Sequence, residues 1–218
     1  MKIDRAAFLA AYDQQFGGTL NASQTAGMNA LLDAAELDTD ITDLRWLAYM
    51  LATVKHECAN TWKPIEEFGK GAGRPYGKPV TVTDPATGKS VTNVYYGRGY
   101  VQLTWKDNYD NMGRKLNVPL LVNPGLALDP DVAYRIMSLG MRTGAFTGKK
   151  LSNYINADGA DYVNARRIIN GTDQAQRIAG YATRLEAALR ASVQASVPLP
   201  NLTPDTTPAA VAPPSVRG

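Results

Sequence analysis

Two residue types are nearly absent from this chain. Its 218 residues include one cysteine, Cys58, and one histidine, His56. A single cysteine excludes an internal disulfide framework, and with a single histidine it leaves no donor set for a structural zinc site. The same scarcity weakens a Ser-His-Asp or Cys-His nucleophile, because His56 and Cys58 share one expected helical turn and point apart. Charge of one sign is also scarce. Lys and Arg number 23 against 20 Asp and Glu, a net +3 that is too small for a nucleic-acid binder. No segment approaches the roughly 18–20 apolar residues of a membrane span, so stable membrane insertion is not expected. The opening MKIDRAAFLAAYDQQFGG does not read as a secretory signal, since Asp13, Gln14 and Gln15 interrupt its apolar stretch. Nothing implies a metal, a cofactor or an obligatory oligomer, and a monomer is expected.

What is present is a foldable chain. Apolar residues make up 44% and charged residues 20%, a balance that supports a packed core. Residues 1–195 read as one folded domain, and 196–218 as a Pro/Ala/Thr-rich disordered tail. Helical periodicity dominates the domain. Asp4 caps a first helix with Phe8, Tyr12 and Phe16 on one side, and Asn21 or Ser23 starts a second with Met28, Leu31, Leu32 and Ala35 buried. A third starts near Thr42 or Asp43 and buries Leu47, Leu51, Val54 and Cys58. VTVTDPATGKSVTNV alternates around a Pro/Gly turn and predicts an exposed hairpin. Further helices are expected near 108–116, 131–143, 161–169 and 173–192. The fold class is mainly α with a small β-hairpin insertion.

Chemistry concentrates where the third helix ends, at Lys55-His56-Glu57. Helical spacing puts Glu57 on the side of Thr53, Met50 and Trp46. An acid at the end of an apolar stripe should hold its proton more tightly than usual, as a general acid requires. A solvated helix-end glutamate is the alternative, although the helix dipole disfavours it. His56-Glu57 is not a zinc-protease motif, because Asn60 stands where the second histidine would be. Glu66 follows nine residues after Glu57, beyond a turn at 60–64. An acid and an ionised base on opposite walls of a cleft are what glycoside hydrolysis with inversion needs.

Tyr95-Tyr96-Gly97-Arg98-Gly99-Tyr100-Val101-Gln102-Leu103-Thr104 comes next, followed by Asn108-Tyr109 and, later, Ile169-Asn170-Gly171. With the upstream His-Glu, these segments resemble family-19 glycoside hydrolases over about residues 40–190. The loop IEEFGKGAGRPYG resembles the phage and prophage endolysin branch of that family. The resemblance implies a lysozyme-like α+β domain with a catalytic cleft. It also implies Glu57 as acid, Glu66 as base with Glu67 as fallback, and Thr104 as the hydroxyl that holds the water. Gln102, Asn108 and Asn170 match sugar-binding positions, where an amide both donates and accepts. Tyr96 and Arg98 are further candidates: tyrosine offers a flat face, and arginine between two glycines can pair with a carboxylate.

The expectation drawn from the endolysin branch is cleavage of the β-1,4 bond between N-acetylmuramic acid and N-acetylglucosamine in peptidoglycan, leading to host-cell lysis. Such a protein is made in the bacterial cytoplasm and acts on the wall in the periplasm after release. A chitinase with the same two carboxylates, a lytic transglycosylase and a non-catalytic wall-binding module are the alternatives. The arginines between Ala165 and Arg190 are expected on a solvated helical face.

Overall fold

The computed structural model describes residues 1–193, so the expected tail at 196–218 lies outside the described residues. Helix α1 spans Arg5–Phe16, with the Asp4 side chain accepting from the Ala7 N–H at 3.0 Å, and stops at Gly17 in the left-handed region. Helix α2, Ala22–Leu37, opens with a reciprocal capping box between Asn21 and Gln24. Helix α3, Leu44–Glu57, is capped by Asp43. Phe8, Tyr12, Met28, Leu31, Leu32, Ala35, Leu47, Leu51, Val54 and Cys58 are all buried, as their spacing predicts.

After α3 the chain turns through Ala59, Asn60 and Trp62, three non-glycine residues with positive φ. Short strand β1, Ile65–Glu66, follows. Strands β2, Val80–Thr83, and β3, Ser90–Asn93, form the expected hairpin, with Val82 opposite Val91. Asn93 anchors it by donating to the carbonyls of Leu121 and Val122. Strand β4, Arg98–Gly99, returns antiparallel to β1 and places Arg98 opposite Glu66.

Helices α4, Lys106–Leu116, and α5, Pro130–Thr143, lie close to the segments expected at 108–116 and 131–143. A two-residue ribbon of β5, Ile155–Asn156, and β6, Gly159–Ala160, precedes helix α6, Ala175–Ser192. Helix α6 packs along both α1 and α3. The helix expected over 161–169 is instead a short 3-10 turn, Asn164–Ile168, separated from α6 by 169–174. The arginines of 165–190 therefore do not share one helical face. The architecture is an α+β lysozyme-like fold: a helical core with, among the described residues, three small antiparallel two-stranded ribbons. No helix among the described residues is long and apolar enough to cross a membrane.

Candidate active site

Helix α3 delivers Glu57 at its last turn, above a stripe on which Met50 and Thr53 are fully buried. The carboxyl does not meet apolar surroundings alone. Its Oε1 accepts from Arg166 Nη1 at 2.6 Å, and Arg166 Nε donates to the Asp173 carbonyl at 3.0 Å. Arg166 is only 3% exposed, so the expectation of a solvated arginine fails at this position. The 3-10 turn aims it inward, where helical spacing had aimed it outward. The expected greasy pocket for Glu57 is corrected for the same reason: its wall carries a guanidinium. Neighbouring His56 is held below its ordinary value by burial, which favours the neutral ring at neutral pH.

The facing wall is the segment after β4. Arg98 and Leu103 exchange two backbone hydrogen bonds, of 3.1 and 2.9 Å, closing a tight loop. That loop holds Gln102 at φ 53°, and Trp105 follows at φ 75°. Non-glycine residues in this region are strained and persist only where their surroundings enforce the conformation, and such strain gathers at functional sites. Here the Gln102 amide donates to the carbonyls of Ile65 and Gly99, both at 3.1 Å. Thr104 Oγ1 donates to the Gln102 carbonyl at 2.8 Å, and Asn108 Nδ2 to the Thr104 carbonyl at 2.7 Å. Gly97 packs closely beneath them. A Cβ there would stand 2.9 Å from Gln102 Oε1 and 3.3 Å from both Glu67 Cβ and Thr104 Oγ1.

Between the two walls lies a cleft of about 500 Å³, lined by Glu57, Gln102, Thr104, Asn108 and Asn170. All five are candidates named from the sequence. They come from segments as far apart as α3 and the turn before α6, and the fold brings them together. Tyr76, Trp105 and Phe146 add aromatic surface to the lining, and Val101, Leu103 and Ile169 aliphatic surface.

Glu66, Tyr96 and Arg98 form an adjoining cluster and do not line that cleft. Glu66 Oε1 accepts from the Tyr96 hydroxyl at 2.5 Å, and Oε2 pairs with Lys70 at 2.9 Å. Arg98 Nε lies 3.9 Å from Glu66 Oε1, and its guanidinium stacks 3.5 Å from the Tyr96 ring centroid. The Tyr96 hydrogen bond, then Lys70, hold the Glu66 carboxyl below the usual carboxylate range. Glu67 is committed elsewhere: Oε1 accepts from the Tyr76 hydroxyl at 2.7 Å and Oε2 from the Gly97 N–H at 3.0 Å. Gln102, which lines the cleft, also bonds to the carbonyl of Ile65, so the strand bearing Glu66 is tied to the cleft wall.

Sequence reasoning missed Arg166, Tyr76 and Phe146. Arg166 and Arg167 are adjacent and chemically alike, and only the direction of the 3-10 turn separates them. Tyr76, inside a glycine-rich loop, carries no periodic signal at all. Trp105, which directly follows the 95–104 segment, offers a flat apolar face from its sequence as Tyr95 and Tyr96 do, and its 49% exposure sets it apart from those two buried tyrosines.

The model of the chitinase class I family matches residues 20–143, more than half of the chain. The chain belongs to glycoside hydrolase family 19. An endochitinase of Arabidopsis thaliana is 38% identical over 92 residues, covering 42% of this chain and 30% of its own length. Chitinase 11 of rice, Oryza sativa subsp. japonica, is 35% identical over 97 residues, covering 44% of this chain and 35% of its own. The family-19 chain thus spans about a third of the length of these curated relatives. Chitinase C of Streptomyces griseus superposes with a TM-score of 0.55 at 25% identity, over 84% of this chain and 76% of the other. A second bacterial family 19 chitinase superposes with a TM-score of 0.52 at 25% identity, over 83% and 93%.

These matches overturn one expectation. The relatives are plant and bacterial chitinases, so the endolysin branch, and with it peptidoglycan and host-cell lysis, is not supported for this family-19 chain. The loop IEEFGKGAGRPYG misled because a single glycine-rich segment carries less information than the whole fold.

Proposed function

We propose that this chain hydrolyses the β-1,4 bonds of chitin, a polymer of N-acetylglucosamine, by acid–base catalysis with two carboxyl groups. One observation carries the reading: in a family-19 chain, Glu57 shares its cleft with Gln102, Thr104, Asn108 and Asn170. Amide and hydroxyl groups around one carboxyl suit a neutral ligand dense in hydroxyls and acetamido groups. The names of the plant and bacterial relatives agree with it.

Glu57 gives its proton to the glycosidic oxygen as the bond to the departing sugar breaks. The carboxylate left behind is neutralised by Arg166, already 2.6 Å away, which lowers the cost of the charge that develops there. Glu66, ionised through Tyr96 and Lys70 and tied to the cleft wall through the bond from Gln102 to the neighbouring Ile65 carbonyl, is assigned as the base that takes a proton from the attacking water. Lys70 is 62% exposed, so its pairing is a weak surface contact that leaves Oε2 within reach of water. Thr104 Oγ1, whose proton goes to the Gln102 carbonyl, keeps lone pairs to accept from that water. Attack by water on the face opposite the leaving group inverts the anomeric centre.

The test is release of reducing ends from colloidal chitin by the full chain and by Glu57→Gln. Steady release by the wild type and its loss in the folded variant are expected. No release from chitin by the wild type, or undiminished release by Glu57→Gln, overturns the proposal.

A further inference from the structure

At the mouth of the cleft two aromatic rings meet nearly at a right angle. Tyr76 and Trp105 have centroids 5.3 Å apart and an interplanar angle of 73°. Both line the cleft, and Trp105 remains 49% exposed although its backbone is held at φ 75°. A large half-exposed indole on a strained backbone contributes little burial for what its conformation costs, which points away from a packing role. The other two tryptophans differ. Trp62 is buried, and Trp46 packs against the core with its indole N–H on the Ile155 carbonyl.

Tyr76 is held by construction. It sits on a strap from Glu67 to Gly77 that closes on itself through bonds from Lys70 N to the Glu67 carbonyl, Ala72 N to Gly69, Arg74 N to Gly71 and Gly77 N to Arg74. The strap's last residue lies backbone to backbone against its middle: a Cβ on Gly77 would stand 1.8 Å from the Gly71 carbonyl oxygen. Gly71 in turn packs down on Tyr96, with a Cβ there 3.2 Å from Tyr96 Cβ. Glu67 locks the far side, its carboxylate bridging the Tyr76 hydroxyl and the Gly97 N–H. Each oxygen of Glu67 takes part in this bridge.

We infer that Trp105 and Tyr76 form a sugar-stacking subsite, with Glu67 as the positioning residue that sets the angle between the rings. The inference rests on the chitin reading above. A β-linked pyranose presents a face of axial C–H groups, which stacks on the indole, while the tyrosine ring closes the subsite at its back. Pre-setting the second ring spares the ordering cost at binding. Asn108, in the first turn of α4, adds a polar edge: its Nδ2 is bonded to the Thr104 carbonyl, and the residue lines the cleft.

The experiment measures binding of the N-acetylglucosamine tetramer to full-length Glu57→Gln protein by calorimetry, alone and with further substitutions. Tyr76→Ala and Trp105→Ala are each expected to raise Kd by roughly 3- to 10-fold, as for loss of an aromatic contact. Tyr76→Phe and Glu67→Gln, which keep the ring but weaken the bridge, are expected to raise it less. In a Trp105→Ala background, Tyr76→Ala and Glu67→Gln add nothing further, whereas a general loosening of the fold adds its effect in any background. Tryptophan emission of the parent shifts to the blue on binding, and Trp105→Phe abolishes the shift. If the parent binds the tetramer and Tyr76→Ala and Trp105→Ala bind it equally well, the subsite is refuted while the chitin reading stands. If the parent does not bind and the wild type leaves chitin intact, both fall.

Discussion

Glu57 and Arg166 are 109 residues apart in the chain and 2.6 Å apart in space. One ends a helix and the other lies in a 3-10 turn before the last helix, so their meeting is a product of how α6 and its approach pack on α3. Arg166→Met takes from Glu57 a charge-assisted hydrogen bond, while the carboxyl itself still faces the cleft. It is therefore expected to cost about 1.5–3 kcal/mol of stability in urea unfolding. Glu57→Gln keeps an oxygen for Arg166 and is expected to unfold near the wild-type midpoint, while kcat falls about 10²–10⁴-fold. Equal destabilisation by the two substitutions contradicts this account.

Glu66 is expected to set the acid limb of the pH–rate profile. A hydrogen bond to the charged form lowers a carboxyl, and Tyr96 supplies the largest such contribution, ahead of Lys70. The base thus stays ionised below the usual carboxylate range, and activity is lost only as pH falls through that depressed value. Tyr96→Phe removes the hydroxyl and keeps the ring beneath Arg98. Its acid limb should move to higher pH in plots of log kcat/KM, and an unmoved limb assigns the base elsewhere. Glu67→Gln, at a carboxyl already spent on Tyr76 and Gly97, is expected to leave that limb in place.

Thr104 separates a water-holding role from a packing role. Thr104→Ser retains the hydroxyl and is expected to keep kcat within a few-fold of wild type. Thr104→Val preserves volume but cannot accept from water, and kcat should fall about tenfold, the worth of one hydrogen bond. Circular dichroism and unfolding midpoints establish that both variants remain folded.

Lys55 provides a pH dependence of stability with a definite sign. Its ammonium lies 4.6 Å from the Phe16 centroid and 5.4 Å from those of Tyr12, Trp62 and Tyr181. It donates to Tyr12 Oη at 2.8 Å and Asn60 Oδ1 at 2.5 Å. Burial, and then Arg184, bring its pKa down from 10.5 to about 8. Between these values the unfolded chain binds more protons than the folded one, so stability rises with pH from about 8 towards 10.5. The gain is bounded by about 3 kcal/mol, and attraction of the ammonium to the rings reduces it. Buried tyrosines act in the opposite direction above pH ~10, since Tyr12 is pushed up to about 12. Urea midpoints between pH 8 and 10 are the measurement. Lys55→Met, which keeps the apolar stem among the rings, should flatten the rise.

Local physics makes much of this protein legible in its sequence alone. Asp4, Asn21 and Asp43 cap the helices that their side chains predict, because a cap is settled within four residues. The hairpin of β2 and β3 follows from alternation around one Pro/Gly turn. The pattern from Tyr95 to Asn108, with the upstream His-Glu and the later Asn170, marked both the family and five residues of the cleft. Tertiary packing decided the rest. Which of Arg166 and Arg167 turns inward, and that Glu57 therefore faces a guanidinium, depends on contacts across a separation of 109 residues that no periodicity connects. Tyr76 reaches the cleft only because a glycine-rich strap closes upon itself, and the angle between its ring and Trp105 exists only once β1, β4 and that strap are assembled. Backbone hydrogen bonding and apolar spacing act over a few residues, and a sequence displays them directly. Contacts between distant side chains are set by the free energy of the whole packed chain.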